Sequence, residues 1–488
     1  MDYWASSTGP HQPAIQGDRK MAQQLKQAHY DVVVLGGGAA GVAAAAAAAK
    51  NGRKTLIIEA NPILGGELLS GMSLDGVLNA RGEYVVGGIS DELFDECRRM
   101  DGFIGPVHDH RLICYVCVDP EIMKIAVMRV LDRHGVTTWV NSFAEDVVVR
   151  DGVVTGLVVV NKSGRTLVTA DHFLDCSGDG DLAVRAGAPF EMSDDSGDLQ
   201  PVSLMFRVGN VDSATLLRFA RENPASMAVG ESDYIRGDKT DEQLLDLLVE
   251  QGQPSVFFKS EGPFLGDAIR RGDLAPTALI MIQPTSAARK EVCVNATRVG
   301  GNIDGTDTAA VSATVGTLME QVWQTYEFVK AHLPGFENSV FAGLAPRVGV
   351  RETRRVMGDY LLTKEDVVSG RKQPDSVVAK GAQHVDIHQS GTTQIRIPIA
   401  NGGSYDIPFG CLLPKGLKNV MVAGRCLSAT REGMGTARTM GPCMAMGQAV
   451  GTAAAMCAER GDADVRRLPV KELQARLRAQ GGVIDGVY

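Results

Sequence analysis

The fold is decided by a short stretch near the start of the chain, Asp31-Val-Val-Val-Leu-Gly-Gly-Gly-Ala-Ala-Gly41, which continues into alanines as far as Lys50. The β-branched run predicts a strand buried on both faces of a parallel sheet, and the alanines predict a helix that ends at Asn51-Gly52. Thr55–Glu59 is the next predicted strand. The chain therefore begins with a β-α-β unit.

The glycines of this unit have the spacing of a dinucleotide-binding turn. Gly36 permits the tight turn, Gly38 lets the backbone approach a pyrophosphate, and Gly41 lets the helix pack closely on the sheet. The helix N-terminus attracts the anion. Glu59, 18 residues after Gly41, is placed to accept a hydrogen bond from a ribose 2′-OH and disfavours NADP. The turn fits either NAD or FAD.

Later segments distinguish these two cofactors. An NAD dehydrogenase continues as β-α-β, whereas Glu59 leads into an irregular glycine-rich loop, Asn61–Gly71. Two further predicted strands open into glycine turns: His172–Cys176 precedes Ser177–Asp181, and Asn419–Ala423 precedes Gly424. The second turn comes shortly before a small-residue helix at about 441–459.

The remaining pattern is mixed. Turns at Asp151-Gly152 and Ser163-Gly164 predict a three-stranded antiparallel meander within Val147–Asp175. We also predict a charged helical stretch near 212–250. Further elements are predicted toward the C-terminus: a hairpin at Leu279–Val299, a long helix near 308–332 and a buried strand at Leu412–Met421.

Composition excludes several classes of protein. The chain has 488 residues, 44% of them hydrophobic and 22% charged, which is typical of a globular protein of more than one domain. Its net charge of −9 disfavours nucleic acid as a partner. We expect no membrane span and a cytoplasmic location, because the chain has neither a long apolar run nor the apolar centre of a secretory signal.

Taken together, these segments resemble the FAD-dependent oxidoreductase family with the glutathione-reductase-like, fumarate-reductase-related fold. The resemblance rests on GGGAAGVAAAAAAAKNG, LGGELLSGM, LDCSGDGDLAVRAGAPFE, PRVGVRETRRVMGDYLLTKEDV, VDIH, IPFGCLLP and NVMVAGRCLSATREGMGTARTMGPCMAMGQAVGTAAA. It implies an α/β protein with a Rossmann-like FAD-binding domain, an antiparallel β-meander and an inserted α+β substrate domain. The expected division is a polar arm at 1–29, an FAD-binding domain at 30–200 and 400–488, and a substrate or cap domain at 201–399.

The resemblance implies FAD as cofactor and also a set of contacts to it. The pyrophosphate faces the first glycine turn, the adenosine ribose faces the end of the second strand, and the flavin lies near the last helix. The expected contacts are Gly36, Gly38, Ala39, Ala40, Gly41, Glu59, Ala60, Gly65, Gly66, Glu67, Ser177, Gly178, Asp179, Gly424, Arg425, Arg438 and Gly441. The alternative for Arg425 and Arg438 is an ion pair without cofactor contact.

Candidate catalytic residues are Arg351, His388 and Tyr405. Arg351 belongs to a cluster with Arg347, Arg354 and Arg355, and a guanidinium binds a carboxylate through two hydrogen bonds. Histidine exchanges protons near neutral pH, so His388 is the expected base. Tyr405 could donate to a substrate oxygen.

We therefore predict an enzyme that transfers a hydride from a small organic substrate to flavin, with oxygen or another acceptor completing the cycle. Two alternatives stay open: a flavin reductase or hydroxylase that uses NAD(P)H, and a non-catalytic electron-relay subunit. A homo-oligomer is also left open. We expect no metal site, because a strand would point Cys114 and Cys117 to opposite faces.

Overall fold

The computed structural model of the protein describes residues 25–193 and 197–487. The strands are β1 (Lys26–Leu35), β2 (Thr55–Ile58), β3 (Phe103–His108), β4 (Cys114–Val118), β5 (Thr137–Trp139), β6 (Phe143–Arg150), β7 (Val153–Asn161), β8 (Gly164–Asp175), β9 (Phe190–Glu191), β10 (Phe206–Gly209), β11 (Val256–Lys259), β12 (Leu279–Ser286), β13 (Glu291–Asn295), β14 (Val340–Leu344), β15 (Arg355–Val356), β16 (Val377–Gly381), β17 (Val385–His388), β18 (Gln394–Ile397), β19 (Tyr405–Pro408) and β20 (Val420–Val422).

The helices are α1 (Ala39–Lys50), α2 (Ile89–Arg99), α3 (Pro120–Arg133), α4 (Asp181–Arg185), α5 (Ser213–Glu222), α6 (Asp233–Arg236), α7 (Asp241–Gln251), α8 (Pro263–Arg271), α9 (Thr308–His332), α10 (Lys364–Val368), α11 (Arg431–Ala437), α12 (Met440–Arg460) and α13 (Val470–Ala479). Shorter 3-10 turns lie at Gly66–Leu69, Pro224–Ser226, Ala400–Gly402, Phe409–Leu412 and Val465–Arg467. None of these described helices is both long and apolar enough to cross a membrane.

The first sheet has the order β5-β2-β1-β8-β7-β6. Strands β5, β2, β1 and β8 run parallel, and β7 and β6 follow β8 as an antiparallel meander. The end of β8 also pairs in parallel with β20. Strand β8 thus belongs both to the parallel part of the sheet and to the meander. The parallel strands with their connecting helix confirm the predicted α/β class.

This dual role corrects two predicted boundaries. The strand expected at His172–Cys176 is the end of β8, because parallel pairing with β1 runs unbroken from Thr166 to Asp175. The same pairing starts β1 at Lys26, so the expected arm at 1–29 is shorter at its C-terminal end. Residues 1–24 lie outside the described part of the chain.

The strand predicted at Leu412–Met421 was also wrong over most of its length. Phe409–Leu412 forms a 3-10 turn, Pro414 makes one isolated bridge to Gly358, and the strand itself is confined to β20. Pro414 offers no N–H to a ladder, and Gly416 has a φ of 81°. These two residues interrupt the apolar run that had suggested a strand.

The second sheet is antiparallel, in the order β11-β12-β13-β10-β14. It contains the predicted hairpin as β12 and β13, and the predicted long helix is α9. Side chains of α5, α7, α8 and α9 pack with this sheet in one apolar cluster. Residues 362–399 do not join that cluster, since Leu362, Val367, Val377, Ile387 and Ile399 pack in the core around α1 and α12.

Helices α1 and α12 pack against each other in parallel at very short distance. A Cβ atom at Gly447 or Gly451 would overlap the carbonyl oxygen of Ala40 or Ala44, respectively. The small residues of α12 therefore permit the contact. Because the two helices run in the same direction, their N-termini point toward the same end of the first sheet.

Candidate functional site

A cleft of about 1350 Å³ lies at that end of the sheet. It is bounded by the turns after β1, β8 and β20, by the first turns of α1 and α12, and by side chains of β4, β12, β13 and β17. Of the residues predicted from sequence, the ones that line it are Gly38, Ala39, Ala40, Glu67, Ser177, Gly178, Arg347, Arg351, His388, Gly424, Arg425 and Arg438.

The glycine turn between β1 and α1 forms one wall. Gly36 has a φ of 97°, and a Cβ there would overlap the Cys176 carbonyl. A Cβ at Gly41 would overlap the Gly36 carbonyl. A Cβ at Gly38, in contrast, would meet no atom within 4 Å and would project into the cleft. The packing of the protein thus requires Gly36 and Gly41, while Gly38 leaves room for a ligand.

Two helix N-termini face the cleft. Neither α1, which follows Gly38, nor α12, which follows Thr439, has a side-chain cap or an acidic residue in its first turn. Thr439, Met440 and Cys443 line the cleft beside α1. At α12 the Gly441 N–H donates to the Asp75 carbonyl and Pro442 has no N–H, so that end offers mainly its dipole. The free N–H groups at the start of α1 and the aligned peptide dipoles of both helices favour an anion here.

The loop after β2 folds over the glycine turn. Glu59 accepts a hydrogen bond from the Gly37 N–H at 2.6 Å, and its other oxygen accepts from the Asn61 N–H at 2.8 Å. Gly65 donates to the Gly37 carbonyl at 2.7 Å. Of the sequence-predicted residues of this loop, Glu67 lines the cleft, Glu59, Gly65 and Gly66 are not among its lining residues, and Ala60 is exposed. In the first turn, Gly36 and Gly41 likewise do not line it.

A second turn, after β8, is held by Arg425. The guanidinium donates to the Gly178 carbonyl at 3.0 Å, to Oδ1 of Asp179 at 2.5 Å and to the Val350 carbonyl. Thr353 also donates to Asp179, so that carboxylate faces the protein. Arg425 therefore forms an ion pair with Asp179, and its side chain also lines the cleft.

The four clustered arginines separate into two groups. Arg354 pairs with Asp181 at 2.6 Å and Arg355 with Glu352 at 3.1 Å, away from the cleft. Arg347 and Arg351 line it. The one hydrogen bond from Arg351 to a described side chain or backbone group goes to the Pro201 carbonyl at 2.7 Å. Burial, with Arg438 and Arg298 nearby, lowers the pKa of Arg351 to about 9.

Strand β17 and the residue before it place three polar side chains on the cleft: Asp386 and His388 from the strand, and His384 just before it. Nε2 of His388 lies 3.1 Å from Oδ2 of Asp386, and Nδ1 lies 3.0 Å from Nη2 of Arg298. Burial lowers the pKa of His388 to about 3, with Arg351 and Arg298 adding to the effect. His388 is thus a neutral imidazole with both nitrogens engaged, which does not support its expected role as base.

Two buried polar atoms at the cleft have no hydrogen-bond partner among the described residues. They are Nε of Arg438 and Oε1 of Gln383. Arg438 otherwise reaches Asp386 through Nη2 at 3.4 Å. Because an unpaired buried polar group is costly, these atoms indicate a polar ligand.

Tyr405 does not reach the cleft. Its side chain is fully buried, and its hydroxyl lies 2.9 Å from Oγ1 of Thr436. Gly441 also lies behind the wall, where its N–H donates to the Asp75 carbonyl at 2.9 Å. The structure therefore does not bring the Tyr405 hydroxyl to the predicted substrate.

The sequence interpretation missed several cleft residues, chief among them Asp75, Asp109, Arg111, Gln383 and His384. The alternation in His384-Val-Asp386-Ile-His388 was an available signal, because alternate residues of a strand share a face. Asp75 lies between Gly71 and Gly76 in a glycine-rich loop, which was a second, weaker signal. The positions of Asp109 and Gln383 depend on tertiary packing.

The cysteine pair is part of the core. On β4, Cys114 and Cys117 belong to two different apolar clusters, as the strand interpretation predicted. Burial raises the pKa of Cys114 to about 12. Among residues 25–193 and 197–487, no three His, Cys, Asp or Glu side chains come together as metal ligands.

The cleft fits the FAD implied by the sequence resemblance. Gly38 leaves an open cradle at the uncapped N-terminus of α1, as a pyrophosphate requires. The unpaired Nε of Arg438 lies near the start of α12 and adds positive charge.

The family model described as FAD dependent oxidoreductase matches residues 31–477. No curated protein matches the chain.

Solved structures with similar folds include a geranylgeranyl bacteriochlorophyll reductase-like protein from Thermoplasma acidophilum, at 15% identity and a TM-score of 0.45, covering 93% of this chain and 84% of that one. A p-nitrophenol 4-monooxygenase from Pseudomonas putida has 12% identity and a TM-score of 0.44, with coverage of 93% and 89%. The flavin-dependent brominase Bmp2 has 12% identity and a TM-score of 0.45, with coverage of 93% and 83%. Such low similarity says nothing about reaction or substrate.

Proposed function

Because the chain belongs to the FAD-dependent oxidoreductase family, we propose that this enzyme oxidises a small organic anion by transfer of a hydride to its FAD. The observation that carries the proposal is the position of Arg351. Its half-buried guanidinium lines the same cleft as the Gly38 turn, and its one hydrogen bond to a described group goes to the Pro201 carbonyl.

The residues that would hold FAD follow from the walls of the cleft. The pyrophosphate would lie at the Gly38 turn and the start of α1, the adenosine ribose near Glu59, and the flavin near the start of α12 and Arg438. When bound, FAD supplies the hydride acceptor, and the protein supplies position and charge. The proposed contacts that line the cleft are Gly38, Ala39, Ala40, Glu67, Ser177, Gly178, Gly424, Arg425 and Arg438. Gly36 and Gly41 would act through the backbone of the turn that they allow.

The substrate half of the cleft favours an anion. With a pKa of about 9, Arg351 is still protonated at neutral pH. A buried guanidinium without an anionic partner is costly, and a carboxylate that accepts two hydrogen bonds from it offsets that cost. Arg438 offers its unpaired Nε to the same ligand.

Apolar side chains complete this half. Ile113, Phe257 and Met281 line the wall beyond the arginines. They would cover the uncharged part of the substrate and exclude water from it. The arrangement suits a compact molecule with one anionic group and a short apolar body.

An anaerobic spectrum of the purified holoprotein tests the proposal. We expect the visible flavin band to bleach with at least one member of a panel of 2-hydroxy and 2-amino carboxylates, and not with NADH or NADPH. Bleaching by NADH or NADPH alone would identify the reductase or hydroxylase alternative. A flavin that only dithionite reduces would identify the electron-relay alternative.

A further inference from the structure

Four acidic side chains line the cleft, Glu67, Asp75, Asp109 and Asp386. The hydrogen-bond partners of the three aspartates differ sharply. Asp386 faces His388 at 3.1 Å and Arg438 at 3.4 Å, and it also accepts from Gln394. Oδ1 of Asp109 accepts three backbone N–H bonds, from Arg111, Leu112 and Ile113. His388 and Arg438 lower the pKa of Asp386. Burial raises the pKa of Asp109 to about 6, but its three backbone N–H bonds occupy the oxygen that they contact.

Asp75 has the fewest partners of the three. Its side chain, 6% exposed, accepts a hydrogen bond from the hydroxyl of Ser73 alone among described groups. Its backbone is nevertheless fixed, because its carbonyl accepts from Gly441 at 2.9 Å and Leu74 donates to Val116 at 2.7 Å. Asp75 is therefore a rigidly placed carboxyl with free lone pairs toward the cleft.

The charged groups around Asp75 come from three other segments. Asp109, after β3, and Asp386, on β17, are like charges that disfavour its ionisation, while Arg438, before α12, favours it. Burial is the largest effect, and together these groups raise the pKa of Asp75 to about 7. A group with that pKa can accept a proton at neutral pH and release it again.

The histidines of the cleft are less suited to this task. Both nitrogens of His388 are engaged. His384 lies 3.2 Å from the Gln383 amide through Nδ1, and burial lowers the pKa of His384 to about 4. Neither imidazole matches the proton affinity that a base needs at neutral pH.

We propose that Asp75 accepts the proton that the substrate loses when it is oxidised. This inference rests on the proposed function and deepens it. In the step, the C–H bond breaks and its hydride, with both electrons, passes to FAD. The neighbouring O–H or N–H bond breaks as well, its proton goes to the Asp75 carboxylate, and a C=O or C=N bond forms.

The test compares holoenzymes with Asp75→Asn and Asp91→Asn. Asp91 also has a raised pKa but lies outside the cleft. With a carboxylate donor found in the panel, wild type should show FAD reduction that speeds up as pH rises through about 7. Asp75→Asn should keep its FAD, reduce it roughly 100-fold more slowly or worse, and lose this pH dependence. Asp91→Asn should behave as wild type.

Ser73→Ala provides a second variant that keeps the base. Because the Ser73 hydroxyl stabilises the carboxylate, its loss should move the pH midpoint of reduction upward. Infrared difference spectra give a readout independent of turnover: a protonated-carboxyl band with a midpoint near pH 7 should disappear with rising pH in wild type and be missing in Asp75→Asn. The carboxyl of Asp109, whose pKa burial raises to about 6, should titrate alike in both proteins.

Two failures are distinguishable. Wild-type rate and pH profile in Asp75→Asn, or persistence of the titrating carboxyl band in that variant, would overturn the role of Asp75 alone. A wild-type flavin that no carboxylate of the panel reduces would overturn the proposed function, and the inference with it.

Discussion

Nη2 of Arg298 lies 3.0 Å from Nδ1 of His388. A guanidinium can only donate, so Nδ1 must be the acceptor and the ring proton must lie on Nε2, 3.1 Å from Asp386. The pair fixes one neutral tautomer of His388. His388 therefore lies in the cleft as the sequence predicted, but its hydrogen bonds do not support the predicted role of base.

The His388→Gln variant tests whether His388 acts as the base. If His388 only positions Asp386 and Arg298, FAD reduction should slow by less than about 10-fold, and its pH midpoint should stay near that of wild type. A general base contributes roughly 100-fold or more. Stopped-flow reduction across pH measures both quantities, and loss of the pH dependence in His388→Gln would return the base role to this residue.

Gly38→Asp should abolish FAD binding while the protein still folds. A side chain fits at this position in the described structure, since a Cβ would meet nothing within 4 Å, but it would place a carboxylate in the cleft. Gly316→Asp on α9, at a second glycine with no neighbour within 4 Å, is the matched control. Visible absorbance and circular dichroism report FAD and fold, and full FAD content in Gly38→Asp would refute the proposed pyrophosphate site.

Tyr405→Phe should affect stability and leave the reaction unchanged. It removes the hydroxyl beside Thr436, at a cost of about 1 kcal/mol. Because Tyr405 does not line the cleft, we expect FAD reduction within about twofold of wild type. A large loss of reduction rate with unchanged stability would restore Tyr405 to the substrate site.

Asp75→Asn should stabilise the holoprotein at high pH only. A carboxyl whose pKa is raised from 3.8 to about 7 binds its proton more tightly in the folded state, so its burial destabilises the fold progressively as pH rises through this interval. At about 1.4 kcal/mol per pH unit, the penalty above pH 7 is about 4 kcal/mol. Thermal unfolding midpoints should therefore rise in the variant at about pH 8 and match wild type near pH 4; equal midpoints at both would contradict the shifted pKa.

The local parts of the fold could be predicted from sequence. The β1 turn, α1, the meander, the β12–β13 hairpin and α9 follow from periodicity and turn residues, which act within a few positions of the chain. The continuity of β8 could not be predicted, because pairing with β1 and β20 joins what looked like two strands.

The site was only partly predictable for the same reason. The spacing of the glycines in the first turn predicts their role. Asp75 and Gln383, in contrast, reach the same cleft only because distant segments pack together. The separation of Arg351 from Arg354 and Arg355 likewise depends on Asp181 and Glu352, which hold the latter two away from the cleft. Apolar residues within 362–399, which the sequence analysis placed in the inserted domain, pack in the core around α1 and α12.

The central claim is that one cleft holds both FAD and an anion bound by Arg351. Anaerobic stopped-flow reduction of bound FAD, over a range of carboxylate concentrations, tests it in wild type, Arg351→Met and the control Arg354→Met. The account predicts that Arg351→Met alone raises the concentration for half-maximal reduction, by about 10-fold or more, as expected for a lost charge-assisted pair. An unchanged half-saturating concentration and limiting rate in Arg351→Met would contradict it.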